Sequence, residues 1–430
     1  MSNERSGFSS RLGFVLATAG SAVGLGNIWR FPYLAAKYGG GTFLLTYLIL
    51  TLTFGFSLMI TEVALGRKAG TSAIRAFGHF SKKYTFIGYL TTIIPFIIFP
   101  YYCVIGGWVT KYALVSIQGG IHNAASDTFF TGFISKSAEP MICVLVFLIA
   151  TTVVVGGGVK GGVERVSTIM MPVLIVLLIG VSLFCITRPG AMAGVAYYLK
   201  PNLKGFSPTT ILAALGQLFY SMSLAMGIMI TFGSYMPKKA DLEKSVTQVE
   251  IFDTGVAFLA GLMIVPAVFV FSNGDSSMLA KGPSLMFVML PKVFDSMAFS
   301  SVIAAVFFIL VLLAALTSSI SLLETLVAVL MDKFHMKRGI ACITMFIIAL
   351  LLAVPSSLGF GAWSNITILG FDFLDFFDFI SNSVLMPIAA FLTCLFVGYI
   401  IKPKVIVDEV ESSGEFKRKP LFLIMVKYIA

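Results

Sequence analysis

Apolar runs of about 20 residues recur along the chain and are separated by short polar breaks, the pattern of a protein that crosses a membrane several times. Ten runs are long enough to span a bilayer as α-helices. These spans are predicted near residues 12–36, 42–66, 84–116, 139–156, 166–187, 209–235, 246–272, 299–330, 339–355 and 368–401. A further run, Leu421–Ala430, is shorter than the roughly 20 residues a span needs, so the chain is expected to end within an incomplete eleventh helix.

The composition agrees with this pattern, because 58% of the residues are hydrophobic, 12% are charged and the mean hydropathy is +0.96. We expect one all-α polytopic membrane domain over residues 1–430, without a separate soluble domain. The five cysteines lie singly within apolar runs and lack the spacing of a metal or redox site, so they are interpreted as packing residues. The first run is too long for a signal peptide and is expected to remain as a span.

The basic residues between the runs indicate the topology. Twenty of the 30 lie in alternate breaks that include the N-terminal segment, and only eight lie in the other breaks. Because Lys and Arg accumulate in cytoplasmic loops, the N-terminus is predicted to be cytoplasmic. The net charge of +10 does not gather on one basic face, so membrane lipid is an expected partner and nucleic acid is not.

Ten spans form two sets of five, about residues 11–187 and 209–401, and an odd number of crossings makes the second set enter from the opposite side. Such inverted repeats occur in secondary transporters, where glycine-interrupted spans at matching positions indicate the binding site. The first span has Gly20, Gly24 and Gly26, and the sixth is rich in small and hydroxyl residues. Both are predicted to be discontinuous. Close packing of small residues is the alternative for this glycine pattern.

Two polar residues of the first span favour a functional interpretation of its glycines. Asn27 and Arg30 lie within the same apolar run, in the turn that follows the glycines. Polar and charged groups inside a bilayer are costly unless they are paired or hydrated. We therefore interpret this part of the span as a site.

The segment Arg11-Leu12-Gly13, followed by Gly20-Ser21-Ala22-Val23-Gly24-Leu25-Gly26-Asn27-Ile28-Trp29-Arg30-Phe31-Pro32-Tyr33, resembles the first helix of the neurotransmitter:sodium symporter family. The resemblance continues through Gly39-Gly40-Gly41, Glu62, Gly66-Arg67, Gly162-Val163-Glu164-Arg165, Gly216-Gln217 and Leu316-Thr317-Ser318-Ser319. It implies a five-plus-five inverted-repeat transporter fold with discontinuous helices 1 and 6. It also implies sodium-coupled amino-acid import across a bacterial inner (plasma) membrane, as in the bacterial transporters of leucine and other hydrophobic amino acids.

The resemblance implies two sodium sites, and a broken helix frees the backbone carbonyl groups that such sites need. The first would use the carbonyls of Gly20, Val23 and Ala314 and the hydroxyls of Thr317 and Ser318. The second would use the Ala22 carbonyl, Asn27, Ser221, Asp253 and the substrate carboxylate. Alternatively, Thr317 and Ser318 bond to the preceding turn of their own helix, and Asp253 is hydrated near a span end.

Chloride is not an expected cofactor. Animal members of the family commonly need chloride, and the resemblance implies that a fixed carboxylate at Asp253 replaces its negative charge, as in bacterial members.

The resemblance also implies a substrate site. Ser21, Ala22, Gly26 and Tyr102 would hold the amino-acid backbone. Ile98, Tyr220, Ser221, Ser223, Met226, Ser318 and Leu322 would complete the site around the side chain. Because most of these side chains are apolar, hydrophobic L-amino acids are the expected substrates, although core packing explains any single one equally well. Monoamine carriers have Asp where this chain has Gly24, so an amine without a carboxylate is not expected.

Charged residues near the span ends resemble gates. Arg30 and Asp375 would form the outer gate above Tyr102 and Tyr220, with Asp372 and Asp378 as alternative partners of Arg30. The inner gate would be formed by Arg5, Asp332, Phe8, Ser234 and Tyr235, and Phe8 stands where the family usually has Trp. Glu62 would support the broken backbones, unless it is a helix-end carboxylate facing water.

Three other classes of protein are the alternatives to a symporter. An ion channel needs many weak sites along an open path. An intramembrane enzyme is not indicated, because the three histidines lie in breaks or at span ends and no nucleophile motif occurs. A sensor would bind without moving solute. The oligomeric state and the number of sodium ions, taken as two per cycle, are not fixed by the residues.

Overall fold

The computed structural model describes residues 7–202, 206–272 and 285–429, and its regular structure is helical, without a β-strand in these ranges. Ten spans follow one another in the predicted order. The unbroken ones are Gly41–Ala69, Lys82–Ile117, Ala138–Gly156, Val159–Ile186, Leu242–Phe271, Ser300–Phe334, Arg338–Leu358 and Phe373–Ile400. Each of these eight is long and apolar enough to cross a membrane. The prediction of an all-α polytopic protein is therefore confirmed.

The first and sixth spans are each broken. The first consists of Arg11–Ala22 and Gly26–Lys37, which meet at an angle of 53°. The sixth consists of Pro208–Ser221 and Ile228–Tyr235, and residues 222–227 separate its halves. These are matching positions in the two sets of five spans, as expected for an inverted repeat.

Short helices connect and follow the spans. They are Ala73–Phe80, Ile121–Ala124, Phe129–Ile134, Ala191–Leu199, Leu285–Met289, Leu290–Asp295, Lys404–Glu411, Lys419–Ile424 and Met425–Ile429. The breaks before the first span and after the second, fourth, sixth, eighth and tenth lie at one end of the bundle, which we call the N-terminal face. The other breaks lie at the opposite face.

Polar side chains define the starts of several spans, because the first amide groups of a helix have no partner within it. The Ser10 hydroxyl accepts from the Gly13 amide over 2.9 Å at the start of the first span. Asp241 accepts from the Lys244 amide over 2.9 Å at the start of the seventh. Asp372 does the same for the tenth span, and this cap gives its carboxylate a structural role.

Buried residues form one continuous core around the first, sixth and eighth spans. The fourth, fifth and ninth spans lie at the periphery and expose large apolar side chains such as Val153, Val176 and Leu351. Contiguous apolar surface of this extent is expected where helices face lipid. The broken spans are therefore at the protein interior, where exposed backbone groups can find partners.

Candidate ion and substrate site

The first break begins where the helix ends at Ala22 and the backbone becomes extended at Val23. The Asn27 side-chain oxygen accepts from the Gly24 amide over 3.1 Å, which replaces a bond that an intact helix would supply. A Cβ atom on Gly24 would lie 2.5 Å from the Ser318 hydroxyl oxygen and 3.2 Å from that of Tyr102. Glycine is therefore favoured here by close approach, and an Asp would need the Ser318 side chain to move.

The sixth break has a left-handed backbone at Ser223, Ala225 and Gly227, with φ of 53°, 61° and 72°. Such conformations are costly for side chains other than glycine and are held by the surrounding structure. Glu62, which is fully buried on the second span, accepts from the Ala225 amide over 2.8 Å. The Ser223 hydroxyl donates to the Ser21 carbonyl over 3.0 Å, so the two breaks are directly linked.

Oxygen-bearing groups of the first break and the eighth span lie close together. The Ser318 hydroxyl lies 3.4 Å from the carbonyl oxygens of both Gly20 and Val23. The Thr317 hydroxyl lies 3.0 Å from the Ala314 carbonyl oxygen, one turn back on its own helix. The structure thus places the Ser318 hydroxyl beside two of the predicted carbonyls, whereas the Thr317 hydroxyl bonds to the preceding turn of its own helix. The five-ligand sodium site stays a prediction. These groups are neutral oxygen ligands, which suit a hard monovalent cation.

Asp253 is fully buried in the middle of the seventh span, so a hydrated position near a span end does not fit. Its carboxylate accepts from the Asn27 amide nitrogen and the Ser221 hydroxyl, each over 2.7 Å. The Tyr47 hydroxyl donates to its other oxygen over 3.0 Å. Three of the groups predicted for the second sodium site are therefore adjacent. Tyr47 was not predicted, because an isolated tyrosine in an apolar run gives no signal of its distant partner.

A small cavity of about 30 Å³ lies between the two breaks. All the predicted substrate-binding residues line it. They are Ser21, Ala22, Gly26, Ile98, Tyr102, Tyr220, Ser221, Ser223, Met226, Ser318 and Leu322. Leu25 and Ile228 also line it and were not predicted. The lining combines hydroxyl groups and backbone of the breaks with the apolar side chains of Ile98, Met226 and Leu322.

A larger cavity of about 490 Å³, which we call the vestibule, lies toward the opposite face. Arg30, Asp375 and Asp378 line it together with Tyr220, and the Arg30 guanidinium carbon lies 5.1 Å from the centre of the Tyr220 ring. Among the described residues, no ion pair within 4.0 Å joins Arg30 to either carboxylate. Asp378 is anchored, because Asn382 donates to it over 2.5 Å and the Tyr101 hydroxyl over 3.2 Å.

The N-terminal face is closed by aromatic rings and ion pairs. The Phe8 ring lies 5.7 Å from Phe14, 5.6 Å from Phe232 and 6.1 Å from Tyr235, all edge to face. The Tyr235 hydroxyl donates to Glu324 over 2.8 Å, and Arg338 pairs with the same carboxylate over 2.6 Å. Glu324 and Arg338 were not predicted as part of this closure.

The predicted inner pair can be described only in part. Asp332 accepts from the Ser72 backbone amide over 2.7 Å, and Arg5 lies outside the described residues. Ser234 lies beside Tyr235 at the end of the sixth span, and its hydroxyl donates to the Thr231 carbonyl over 2.6 Å.

Comparison with known proteins agrees with this geometry. The model of the sodium:neurotransmitter symporter family matches residues 5–133 and 129–430, which together cover nearly the whole chain. The chain belongs to the sodium:neurotransmitter symporter family. As a member, it is a sodium-coupled transporter with several membrane-spanning helices, and the family is one of transporters, not enzymes.

Relatives of this symporter occur in bacteria, archaea and animals. An uncharacterized sodium-dependent transporter of Bacillus subtilis is 35% identical over 95% of this chain and 90% of the relative. One from Methanocaldococcus jannaschii is 33% identical over 96% of this chain and 86% of the relative. The human sodium- and chloride-dependent GABA transporter 2 is 27% identical over 77% of this chain and 62% of its own.

The fold of the symporter is similar to that of the crystal structure of MhsT in complex with L-phenylalanine. The two share 38% sequence identity and a TM-score of 0.90, over 99% of this chain and 97% of MhsT. The predicted transporter fold with two discontinuous helices is therefore confirmed.

Proposed function

We propose that this symporter carries hydrophobic L-amino acids into the cell together with sodium, by alternating access and without chloride. The observation that carries this proposal is the cavity between the two helix breaks. Its lining combines hydroxyl groups and backbone of the breaks with apolar side chains. An α-amino acid with an apolar side chain combines the same two kinds of group.

The substrate backbone would bind at the breaks. The amide groups freed at the start of a half-helix favour a carboxylate, and the Tyr102 hydroxyl lies 3.5 Å from the Leu25 amide beside them. The side chain would lie against Ile98, Met226 and Leu322. Because methionine is flexible and polarizable, Met226 would adapt to aliphatic and aromatic side chains. The phenylalanine complex of MhsT is consistent with this class of substrate.

Two sodium ions would bind beside the substrate. In the first site an ion would lie among the carbonyls of Gly20, Val23 and Ala314, and the hydroxyl oxygens of Thr317 and Ser318 would turn toward it. In the second site it would lie among the Ala22 carbonyl, Asn27, Ser221 and Asp253, and the substrate carboxylate would complete its shell. Sodium and substrate would therefore bind cooperatively, because the substrate carboxylate is itself one of the ligands of the ion.

Chloride independence would follow from the buried charge of Asp253. The carboxylate has three hydrogen-bond donors. As a member of the second site it would supply a fixed negative charge there. A second anion at the same place would be repelled.

Transport would need the two faces to open in turn. From the distribution of basic residues we propose that the N-terminal face is cytoplasmic, in a bacterial inner membrane. Closure of the vestibule would bring Arg30 to an acidic residue of the tenth span above Tyr102 and Tyr220. Asp375 was the expected partner, but Asp378 is the better candidate because two hydrogen bonds fix its position. Release would require the contacts of Phe8 and Glu324 to separate.

Equilibrium binding to the purified protein tests the substrate and ion assignments. Radiolabelled leucine, phenylalanine, glutamate, lysine and dopamine are offered in sodium chloride, sodium gluconate and potassium chloride. The proposal expects sodium-dependent binding of leucine or phenylalanine that is equal in chloride and gluconate. Binding of dopamine in preference to every amino acid would contradict the substrate class, and loss of binding in gluconate would contradict chloride independence. The Asp253→Asn variant should lose sodium-dependent binding, while Thr254→Ala, at the adjacent position, should retain it.

A further inference from the structure

Asn382 lies in a widened turn of the tenth span, Phe379–Leu385, one turn beyond Asp378, and is only 4% exposed. Its amide nitrogen donates to Asp378 over 2.5 Å and to the Tyr101 hydroxyl oxygen over 3.3 Å. An amide oxygen turned toward a carboxylate would be repelled, so this contact fixes the orientation of the amide group. The amide oxygen therefore points away from Asp378, and among the described residues it has no hydrogen-bond partner.

Arg30 has the converse feature, a buried hydrogen-bond donor without a partner in the described ranges. Its Nη1 is buried and, within the described part of the chain, has no acceptor. A side cavity of about 620 Å³, between the first, sixth and tenth spans, is lined by both Arg30 and Asn382. Arg30 also lines the vestibule together with Asp378. A buried donor without an acceptor and a buried acceptor without a donor thus border the same space, and each is unfavourable until it is paired.

We propose that Asn382 is a positioning residue of the gate at the opposite face. Its amide nitrogen holds Asp378 in place, and its amide oxygen accepts from Arg30 when the vestibule closes. Arg30 then bonds to two acceptors on one turn of the tenth span, and its planar, forked guanidinium is suited to such paired contacts. This inference rests on the proposed role of Arg30 and Asp378 as a gate.

A thiol-labelling experiment tests the proposal without any bound amino acid. Ile98 lines the central cavity below the gate and is 1% exposed. In an Ile98→Cys background, a membrane-impermeant thiol reagent added outside right-side-out vesicles reacts at a rate set by gate opening. The five native cysteines are buried, and the protein without the Ile98 substitution gives the background rate.

Asn382→Ala is expected to raise the labelling rate about tenfold, the usual effect of losing one hydrogen bond to a charged group. Ser383→Ala, which alters the same side cavity, is the matched control and should leave the rate unchanged. When Arg30→Ala is also present, Asn382→Ala should add nothing, because both act through one contact. Asn382→Ser replaces the alanine variant if that protein does not fold.

Two results would overturn the assignment. One is an unchanged labelling rate in the Asn382 variant. The other is the same increase with and without Arg30, which would indicate that Asn382 only packs against its neighbours. A failure of the proposed transport function can be told apart from a failure of this inference. Even in a protein that concentrates no amino acid, labelling effects of the Arg30 and Asn382 variants that do not add would still assign the gate.

Discussion

The two faces of this transporter differ in how their charged residues are arranged. At the N-terminal face, Glu324 is held by both Arg338 and Tyr235, and the Phe8 ring packs against three others. At the opposite face, Arg30 and Asp378 border a vestibule of about 490 Å³ without meeting. Of the charges beside the central cavity, those at the N-terminal face are paired, whereas Arg30 and Asp378 at the opposite face are apart.

This difference indicates which barrier is complete. Packed aromatic rings and buried ion pairs separate the central cavity from the N-terminal face. At the opposite face, the vestibule extends down to Tyr220. In an alternating-access cycle, the contacts of one face must be weak enough to break when those of the other form. Variants of each face should therefore shift the balance in opposite directions.

The largest effect is expected at Arg67, whose side chain is 1% exposed and pairs with Glu409 over 2.8 Å. It also donates to the Ala240 carbonyl over 2.9 Å, so it joins the second span to two segments of the N-terminal face. Arg67→Ala leaves the buried Glu409 carboxylate with only the longer contact of Lys238, at 3.5 Å, and should lower the free energy of unfolding by about 3–5 kcal/mol. Thermal unfolding in detergent measures this, with the exposed Lys68→Ala as control. Equal melting temperatures would mean that this pair does not hold the face together.

Arg338→Ala should open the N-terminal face without unfolding the protein. It removes the charged partner of Glu324, and the loss of such hydrogen bonds is worth about 2 kcal/mol, or a shift of roughly 30-fold in the balance of the two states. Amide hydrogen exchange should rise in residues 8–20 and 228–236 but not in residues 26–37. Lys337→Ala is the adjacent control. Faster exchange at the opposite face instead would contradict the claim that the Arg338 contact closes the N-terminal face.

The two acids of the vestibule can be distinguished directly. Asp378→Asn is expected to lower the rate of sodium-driven uptake about tenfold, because it removes the charge that Arg30 would meet on closure. Asp375→Asn should have a smaller effect, since its side chain has no anchoring hydrogen bond from the third span. Initial uptake rates of the two variants at equal expression decide between them. A larger loss in the Asp375 variant would restore it as the gate acid.

The smallest effect is expected at Phe8. Phe8→Leu keeps an apolar side chain of similar size that still packs at this place, and loses only the edge-to-face ring geometry, which is worth about 0.5–1.5 kcal/mol for a pair. Hydrogen exchange in residues 8–20 should rise modestly, by less than in the Arg338 variant. If it rose more, the aromatic contacts and not the ion pair would be the main closure of this face.

The fold could be predicted almost completely from the sequence, because long apolar runs in lipid have few alternatives to helices. The breaks at Gly24 and Gly227 were visible as matched clusters of small residues. The start of the fifth span was placed too late, since the structure begins it at Val159 and not near residue 166. The widened turn Val159–Glu164 contains glycines and charges, so the sequence pattern assigned it to a loop.

The missed residues share one physical reason, which is that their partners are distant in sequence. Tyr47 and Asp253 are joined across 206 positions, and the partner of a single tyrosine cannot be read from its neighbours. Arg338 was counted only as a loop charge, although it folds back onto Glu324. Among three closely spaced acids, the spacing alone could not tell which one Asn382 and Tyr101 would anchor.

The most direct test of the account is uptake into proteoliposomes under an imposed sodium gradient. We predict that leucine or phenylalanine accumulates above its external concentration when sodium is higher outside. We also predict that accumulation stops when potassium replaces sodium or an ionophore collapses the gradient. Equilibration without accumulation would indicate a channel, and binding without uptake would indicate a sensor. Failure to concentrate any amino acid from a mixed panel would contradict the central claim.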